Sequence, residues 1–233
     1  YILSGNKFFI TNANHANVFI IFARTGQGPK RHEGITAFVV ERNYEGFHVG
    51  EDYRKLGVRG SSTAELVLDN VHVPEENILG EMGKGFYIAM NTLNMGRIGI
   101  GAQALGIAQA SLEKSIEYMK QREAFGKKLA DFEGLQFQIA EISTDVEAAR
   151  LLIYDAAMRA DKNLPLIKEA SMAKYFSSKV AMDASRFAIQ VHGGYGFIED
   201  FDVERYYRDA KITEIYEGTT EIQKIVIARE LLK

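Results

Sequence analysis

The stretch 211–220, which we predict to be the loop before the last helix, carries the residue types best suited to chemistry. Glu217 stands between Tyr216 and Gly218, just ahead of a predicted helix N-terminus. A glycine lets the backbone turn and lets a ligand approach closely. The free amides of a helix N-terminus attract anions and carbonyl oxygens. The pattern therefore predicts a ligand site with a carboxylate beside it. On position alone, a surface carboxylate that the helix dipole stabilises is the open alternative.

A glycine-rich stretch at 193–196 and the segment 122–127 are two further candidate sites. Glycine-rich loops can cradle phosphates, but a helix C-cap accounts for the same glycines. Arg122 lies close to an aromatic residue and can bind a phosphate; a solvated turn is the alternative there. The five histidines show no metal-site spacing, and no serine has the flanks of a nucleophile elbow. We therefore expect no metal site and no hydrolase.

The composition is that of a globular protein, with 46% hydrophobic and 25% charged residues among 233. The net charge is −3 and no basic block stands out, which argues against a nucleic-acid partner. Cysteine is absent, which excludes thiol catalysis and favours a reducing compartment. No apolar run approaches the ~18 residues of a membrane span, so we expect no membrane association. The chain opens inside an apolar pattern without Met or a signal region, and we expect a truncated chain.

The elements that must position the candidate residues fall into two halves. Residues 1–80 are β-rich and predict a small antiparallel β domain, in part dependent on the rest of the protein. Short apolar runs around turn residues predict a hairpin from 1–3 and 8–11, strands at 18–23, 35–40, 65–68 and 71–73, and an exposed loop at 26–31.

From about residue 83 the apolar residues follow the 3–4 spacing of helices. This spacing predicts four helices, at about 83–119, 135–156, 165–187 and 222–232, with a capping box of Thr220 and Gln223 starting the last. The connection 162–164 is short, so the second and third helices should be antiparallel neighbours. The predicted fold class is α+β: a β domain over 1–80 followed by a C-terminal four-helix bundle over 81–233.

The motifs taken in order resemble the acyl-CoA dehydrogenase family, specifically its middle and C-terminal domains; we expect the family's N-terminal helical domain to be absent from the chain. The matching stretches are 9–12, 55–61, 77–80, 96–99, 122–126, 190–196, 208–210 and 215–219. Gly96-Arg97-Ile98-Gly99 and the stretch 103–109 are most similar to short-chain, butyryl-CoA-type members. Gly96 stands where isovaleryl-type members carry their base, so the resemblance places the base at Glu217.

The resemblance implies an FAD-dependent dehydrogenation of an acyl-CoA thioester to the trans-2-enoyl-CoA in fatty acid β-oxidation. Electrons would pass to an electron-transfer flavoprotein. It implies Glu217 as catalytic base and a substrate site of Tyr216, Gly218 and Arg97. The implied cofactor-binding residues are Phe9, Thr11, Arg122, Phe125, Gln190, Gly193, Gly194, Thr219 and Glu221. Three positions depart from the family's pattern, namely Phe9 for Trp, Asn94 for Asp and Glu133 for Gln.

The resemblance further implies a homo-oligomer, a dimer of dimers, in which some of these residues reach a neighbouring subunit's FAD. The implied location is the bacterial cytoplasm or the mitochondrial matrix. Two alternatives remain open at this point. One is an acyl-CoA oxidase-like flavoprotein that passes electrons to oxygen, and the other is a non-catalytic helical assembly module.

Overall fold

Alternating and continuous apolar runs give the first part of the chain two antiparallel sheets. The computed structural model describes residues 1–30 and 32–233. One sheet has the strand order β1-β5-β4 and the other the order β2-β3-β6. The strands are β1 Ile2–Thr11, β2 Val18–Arg24, β3 Ile35–Glu41, β4 Phe47–Val49, β5 Thr63–His72 and β6 Ile78–Leu79. Their inward side chains form one apolar core, in which Phe38, Val40, Leu66 and Val71 are almost fully buried.

The predicted hairpin at the start of the chain is wrong. Residues 2–11 form a single strand that pairs with β5 along its whole length, and two irregularities interrupt the register. Gly5 and Asn6, which resemble a turn, pair with Leu68 and Val67. The predicted strands at 65–68 and 71–73 are likewise one strand, with Asn70 at φ +52° between them. Pairing with a long partner strand keeps these turn-prone residues extended, since irregularities absorb the mismatch.

The strands predicted at 18–23 and 35–40 are confirmed as β2 and β3. In the predicted loop, residues 26–30 are exposed, and Arg31 lies outside the described residues.

Long amphipathic repeats give the rest of the chain five helices, one more than predicted. They are α1 Gly85–Gln121, α2 Glu133–Asp161, α3 Ile167–His192, α4 Val203–Thr213 and α5 Thr220–Leu231. The additional helix, α4, buries only Val203, Ala210 and Thr213. Because its other residues are mostly polar, the apolar spacing did not predict this helix. Residues 211–213 are its last turn rather than part of the predicted loop. A small hairpin of β7 Glu123–Ala124 and β8 Lys127–Lys128 follows α1.

Helix α3 is the centre of the helical part and packs against α2, α4 and α5. Small residues line its buried faces, among them Ala173, Ala181 and Ala184, and these allow close helix packing. Arg159 near the end of α2 lies 3.7 Å from Glu169 near the start of α3, as the predicted antiparallel arrangement requires. The core also takes in α1 through Ala104, Leu105, Ala108 and Leu112.

The chain divides into two compact units, Tyr1–Thr92 and Leu93–Lys233, so the division falls within α1. We call them the β unit and the helical unit. The domain boundary expected at residue 80 stays a prediction. None of the described helices combines the length and the hydropathy that a membrane span requires.

Candidate active site

The turn between α4 and α5 has an unusual backbone at the candidate base. Glu217 has φ +55° and Gly218 has φ +94°. A residue with a side chain loses roughly 1–2 kcal/mol in the left-handed region, so the rest of the structure must hold Glu217 there. A Cβ at Gly218 would lie 2.8 Å from Nε2 of Gln223. Glycine is therefore required after Glu217 both by the backbone angle and by the space available.

Two fully buried side chains hold this turn from different helices. Lys174 of α3 donates from Nζ to the carbonyl oxygen of Gly218 at 2.7 Å. Gln223 of α5 donates from Nε2 to the carbonyl oxygens of Glu217 and Gly218, at 3.1 and 2.9 Å. The capping box expected from Thr220 and Gln223 is wrong, because α5 has Thr219 as its N-cap and no side-chain capping bond. The side-chain amide of Gln223 instead donates hydrogen bonds to the Glu217–Gly218 turn.

The carboxyl group of Glu217 lies in a desolvated place near two cations. Its Oε2 is buried and, within the described part of the chain, has no hydrogen-bond partner. Burial raises the pKa of Glu217 above its ordinary value of 4.5, and the positive charges of Arg97 and Lys174 oppose that rise. A carboxylate that is partly dehydrated and free to accept a proton is suited to general base catalysis.

Arg97 reaches this place from α1 and is almost fully buried, with 5% of its surface exposed. Its Nη1 donates to Oδ1 of Asn94 at 2.9 Å and to Oγ of Ser171 at 3.5 Å. Burial lowers the pKa of the Arg97 guanidinium, and the charge of Glu217 opposes this effect. Arg97 is therefore a buried cation whose charge acts on the candidate base, and Asn94 fixes its position with a neutral amide.

The residues next to Glu217 complete the site. The hydroxyl of Tyr216 donates to Oε1 of Gln103 on α1, and burial raises the pKa of that phenol. A Cβ placed at Gly96 would lie 2.5 Å from Oε2 of Glu217. The structure thus brings Tyr216, Glu217, Gly218 and Arg97 together. The absence of a side chain at Gly96 leaves space for the Glu217 carboxylate.

A second group of predicted residues lines a cavity of about 430 Å³ in the helical unit. Arg122, Gly193 and Gly194 are among the residues that line it. Gly193 is also the C-cap of α3, with φ +59°, so the helix C-cap interpretation holds at the same place. A Cβ at Gly193 or Gly194 would meet no atom within 4 Å. A cavity lined by an arginine and by glycine backbone without side chains is a suitable place for a phosphate-containing ligand.

The remaining predicted cofactor residues are spread more widely. Gln190 lines a different groove, on the α2 and α3 surface, of about 520 Å³. Phe125 sits in the turn of the β7–β8 hairpin with 96% of its surface exposed. Hydrogen bonds from its own N–H and from the Thr219 hydroxyl lower the pKa of Glu221.

Phe9 and Thr11 belong to the β unit. Phe9 is 74% exposed. It has φ +59° at a register irregularity of β1, and its ring lies 5.3 Å from that of Tyr53. Thr11 is exposed and pairs with Thr63 at the end of the strand.

Sequence reasoning missed the two donors, Lys174 and Gln223. Lys174 lies on the buried face of α3, one residue after Ala173 and four after Ala170. A lysine inside a stripe of alanine and serine is the pattern that could have revealed it, because lysine is almost never fully buried without a partner. The part of the chain described here contains no cluster of side chains that could hold a metal ion.

Both parts of the chain match known family models. Residues 83–232 match the acyl-CoA dehydrogenase C-terminal domain, and residues 1–71 match the acyl-CoA dehydrogenase middle domain. An acyl-CoA dehydrogenase of Bacillus subtilis is 53% identical over 232 residues, which cover 100% of this chain and 61% of the relative.

Two solved structures are also similar. Butyryl-CoA dehydrogenase from Megasphaera elsdenii matches with a TM-score of 0.96 at 48% identity, over 100% of this chain and 61% of that one. A chain in a structure of the electron transferring flavoprotein of Acidaminococcus fermentans gives the same TM-score of 0.96, identity of 48% and coverage of 100% and 61%. The chain thus spans about three fifths of the length of the relatives it matches.

Proposed function

The chain belongs to the acyl-CoA dehydrogenase family, and on that premise we propose that it supplies the catalytic base for FAD-dependent α,β-dehydrogenation of a short, straight-chain acyl-CoA thioester. The observation that carries this proposal is the Glu217 carboxylate, which is desolvated, lacks a partner on Oε2 within the described chain, and is held on a left-handed turn. The product is the trans-2-enoyl-CoA.

Glu217 takes the α-proton of the thioester onto its carboxylate as the carbon–carbon double bond forms. The chemistry that bound FAD supplies is acceptance of the β-hydrogen as a hydride. The raised pKa makes the Glu217 carboxylate a stronger base, which favours removal of a proton from the weakly acidic α-carbon. Arg97 and Lys174 keep the carboxylate ionisable despite burial, because both favour its charged form.

The thioester oxygen gains negative charge as the proton leaves, and it needs a hydrogen-bond donor. We assign this task to the backbone N–H of Glu217. Gly218 allows close approach at that point because it has no side chain. We assign Tyr216 and Arg97 to the substrate site, since both lie beside Glu217.

We assign the adenosine and pyrophosphate part of FAD to Arg122, Gly193 and Gly194. This assignment is supported by the cavity that all three residues line, in which the two glycines leave the backbone open. By family resemblance the remaining cofactor contacts are Phe9, Thr11, Phe125, Gln190, Thr219 and Glu221. Several of these are exposed, which supports a homo-oligomer, a dimer of dimers, in which a neighbouring subunit's cofactor covers them.

We propose an electron-transfer flavoprotein as the electron acceptor. The match to a chain in the structure of such a flavoprotein supports this. The bacterial cytoplasm or the mitochondrial matrix is the proposed location, and the absence of cysteine agrees with a reducing compartment.

The test is anaerobic addition of butyryl-CoA to the flavin-loaded protein while the flavin absorbance is recorded. We expect bleaching that butyric acid without CoA does not cause. Bound flavin that no acyl-CoA bleaches would overturn the dehydrogenase proposal, and failure to bind flavin would favour the assembly module. Rapid oxygen consumption without another acceptor would favour the oxidase.

The acyl chain length is tested by kcat/KM across straight substrates of C4 to C16 and isovaleryl-CoA. We expect a maximum at short straight chains, because Gly96 and the run 96–99 are of the butyryl type. Each methylene changes discrimination by only ~1–3 kcal/mol, so neighbouring lengths will overlap. A maximum at isovaleryl-CoA or at C14–C16 contradicts the chain-length proposal and leaves Glu217 untouched.

A further inference from the structure

The backbone of the strained turn at Glu217 is held through its carbonyl oxygens. Gly218 accepts hydrogen bonds from Lys174 on α3 and from Gln223 on α5, at 2.7 and 2.9 Å. Both donors are fully buried. Because they approach from two helices, the peptide between Glu217 and Thr219 cannot rotate without breaking one of these bonds.

Helix α3 also fixes the start of this segment. The hydroxyl of Ser178 lies 2.8 Å from the carbonyl oxygen of Thr213, the last residue of α4, and 2.7 Å from that of Lys174, so the two carbonyls share its single proton. Ser178 lies one turn after Lys174 on the same helix. The segment that carries Glu217 is therefore attached to α3 at both ends.

A lysine is a costly choice for this position. A buried ammonium group loses its hydration, and one carbonyl oxygen replaces only part of it. Burial lowers the pKa of Lys174 to about 8; the carboxylates of Glu214, Glu217 and Glu221 oppose this, and the cation Arg97 adds to it. An apolar side chain would pack on α3 without this cost, so the ammonium points to a task that an apolar residue cannot perform.

We propose that Lys174 is a positioning residue for the catalytic base: its ammonium group holds the Gly218 carbonyl, keeps the Glu217–Gly218 turn left-handed, and favours the ionised carboxylate. This inference rests on the proposed function of Glu217. Without Lys174, a buried carbonyl loses its charged donor, the turn can relax, and the carboxylate leaves its place beside Gly96.

The first arm of the experiment measures hydrogen exchange in the flavin-loaded protein. Lys174→Met keeps an unbranched stem and removes the donor. We expect exchange in the segment 214–223 to become about tenfold faster or more, as the loss of a hydrogen bond to a charged group implies. Ser177→Ala is the matched control, because Ser177 is buried on the same helix and its Oγ has no partner within the described chain. We expect it to leave the segment unchanged.

The second arm measures flavin reduction by butyryl-CoA in stopped flow across pH. Lys174→Met should lower the limiting rate by about 10–100-fold, since a misplacement of about 1 Å has this effect, with little change in substrate dissociation constant. It should also move the acid limb of the rate profile to higher pH, because a cation that lowers the pKa of Glu217 is gone. Lys174→Arg should restore much of the rate and the position of the limb.

Gln223→Met removes a hydrogen-bond donor to the turn without removing a charge, so it separates the two effects of Lys174. It also tests the holding of the turn if Lys174→Met fails to fold. It should loosen the segment 214–223 and slow reduction without moving the acid limb. Unchanged exchange of the segment 214–223 in both Lys174→Met and Gln223→Met would overturn the proposal. Exchange in Ser177→Ala as fast as in Lys174→Met would overturn it as well. If the wild-type flavin is not reduced by any acyl-CoA, the proposed function fails, while the exchange result still shows whether Lys174 holds the turn.

Discussion

The Glu217 turn and the Arg122 cavity differ in how far their polar residues are buried, although both belong to the helical unit. Around Glu217 the polar partners are buried, and Lys174 and Gln223 hold the backbone through short hydrogen bonds. Around the cavity, Arg122, Gly193 and Gly194 are exposed.

This difference separates two kinds of task. A group that transfers a proton must be positioned and dehydrated before the substrate arrives. Groups that bind a large, charged cofactor can remain hydrated and become ordered when it binds. Changes at the Glu217 turn should therefore lower the reaction rate, and changes at the Arg122 cavity should lower cofactor retention.

Glu217→Gln should lower the rate of flavin reduction by about 10⁴-fold or more, at or beyond the upper end of the ~10²–10⁴ range of a general base, because the amide cannot accept the α-proton. FAD and butyryl-CoA should still bind, since the amide has the same shape. Stopped-flow absorbance gives the rate, and the bound flavin spectrum gives the cofactor content. Glu214→Gln, on the same turn, is the control and should stay within about tenfold. Reduction at a near-normal rate in Glu217→Gln would contradict the assignment.

Gly96→Ala should lower the same rate by about 100-fold, because its Cβ would lie 2.5 Å from Oε2 of Glu217 and displace the carboxylate. Gly99→Ala is a matched control one turn further along α1, where a Cβ would meet no atom within 4 Å. It should leave the rate unchanged and stabilise the helix by up to ~1 kcal/mol. Equal rates in the two variants would show that space at Gly96 does not set the position of the base.

Arg122→Ala should weaken FAD retention by about 10–100-fold, the usual effect of losing a charge-assisted hydrogen bond. The rate per bound flavin should change little, because this contact lies on the cofactor's phosphate side. Equilibrium dialysis of FAD measures the first quantity, and stopped flow at saturating FAD measures the second. Arg205→Ala, an exposed arginine that lines neither this cavity nor the groove of Gln190, is the control. If Arg122→Ala retained FAD normally but reduced each bound flavin more slowly, Arg122 would act in the reaction rather than in cofactor binding.

The rate of flavin reduction should rise with pH by at most tenfold per unit until Glu217 is ionised. Burial raises the pKa of Glu217, so the midpoint should lie above 4.5, the ordinary value for glutamate. The sign follows because only the ionised carboxylate can accept the α-proton. Arg122→Ala should leave the midpoint in place, since Arg122 does not contribute to that pKa shift. A midpoint at or below 4.5 would show that burial does not dominate the pKa of Glu217.

Local pattern and tertiary structure disagreed at two instructive places. The turn-like residues Ser4, Gly5 and Asn6 lie within a strand, because the partner strand β5 is long enough to pair on both sides of them. Thr220 and Gln223 have the spacing of a capping box, yet the Gln223 amide donates to the Glu217 turn. In the first case a distant strand supplied the pairing, and in the second a left-handed turn five and six positions earlier supplied the acceptors.

The sequence by itself determined the division into a β half and a helical half, since hydrophobic periods of two and of 3.6 residues differ along the chain. It also singled out Glu217, through its neighbours Tyr216 and Gly218. Tertiary structure alone decided that Lys174 and Gln223 hold this turn and that the charge of Arg97 acts on the Glu217 carboxylate. The reason is physical: burial, and with it the pKa of a carboxyl group, depends on side chains from helices more than 40 positions away in the sequence, such as the 44 positions between Lys174 and Gly218.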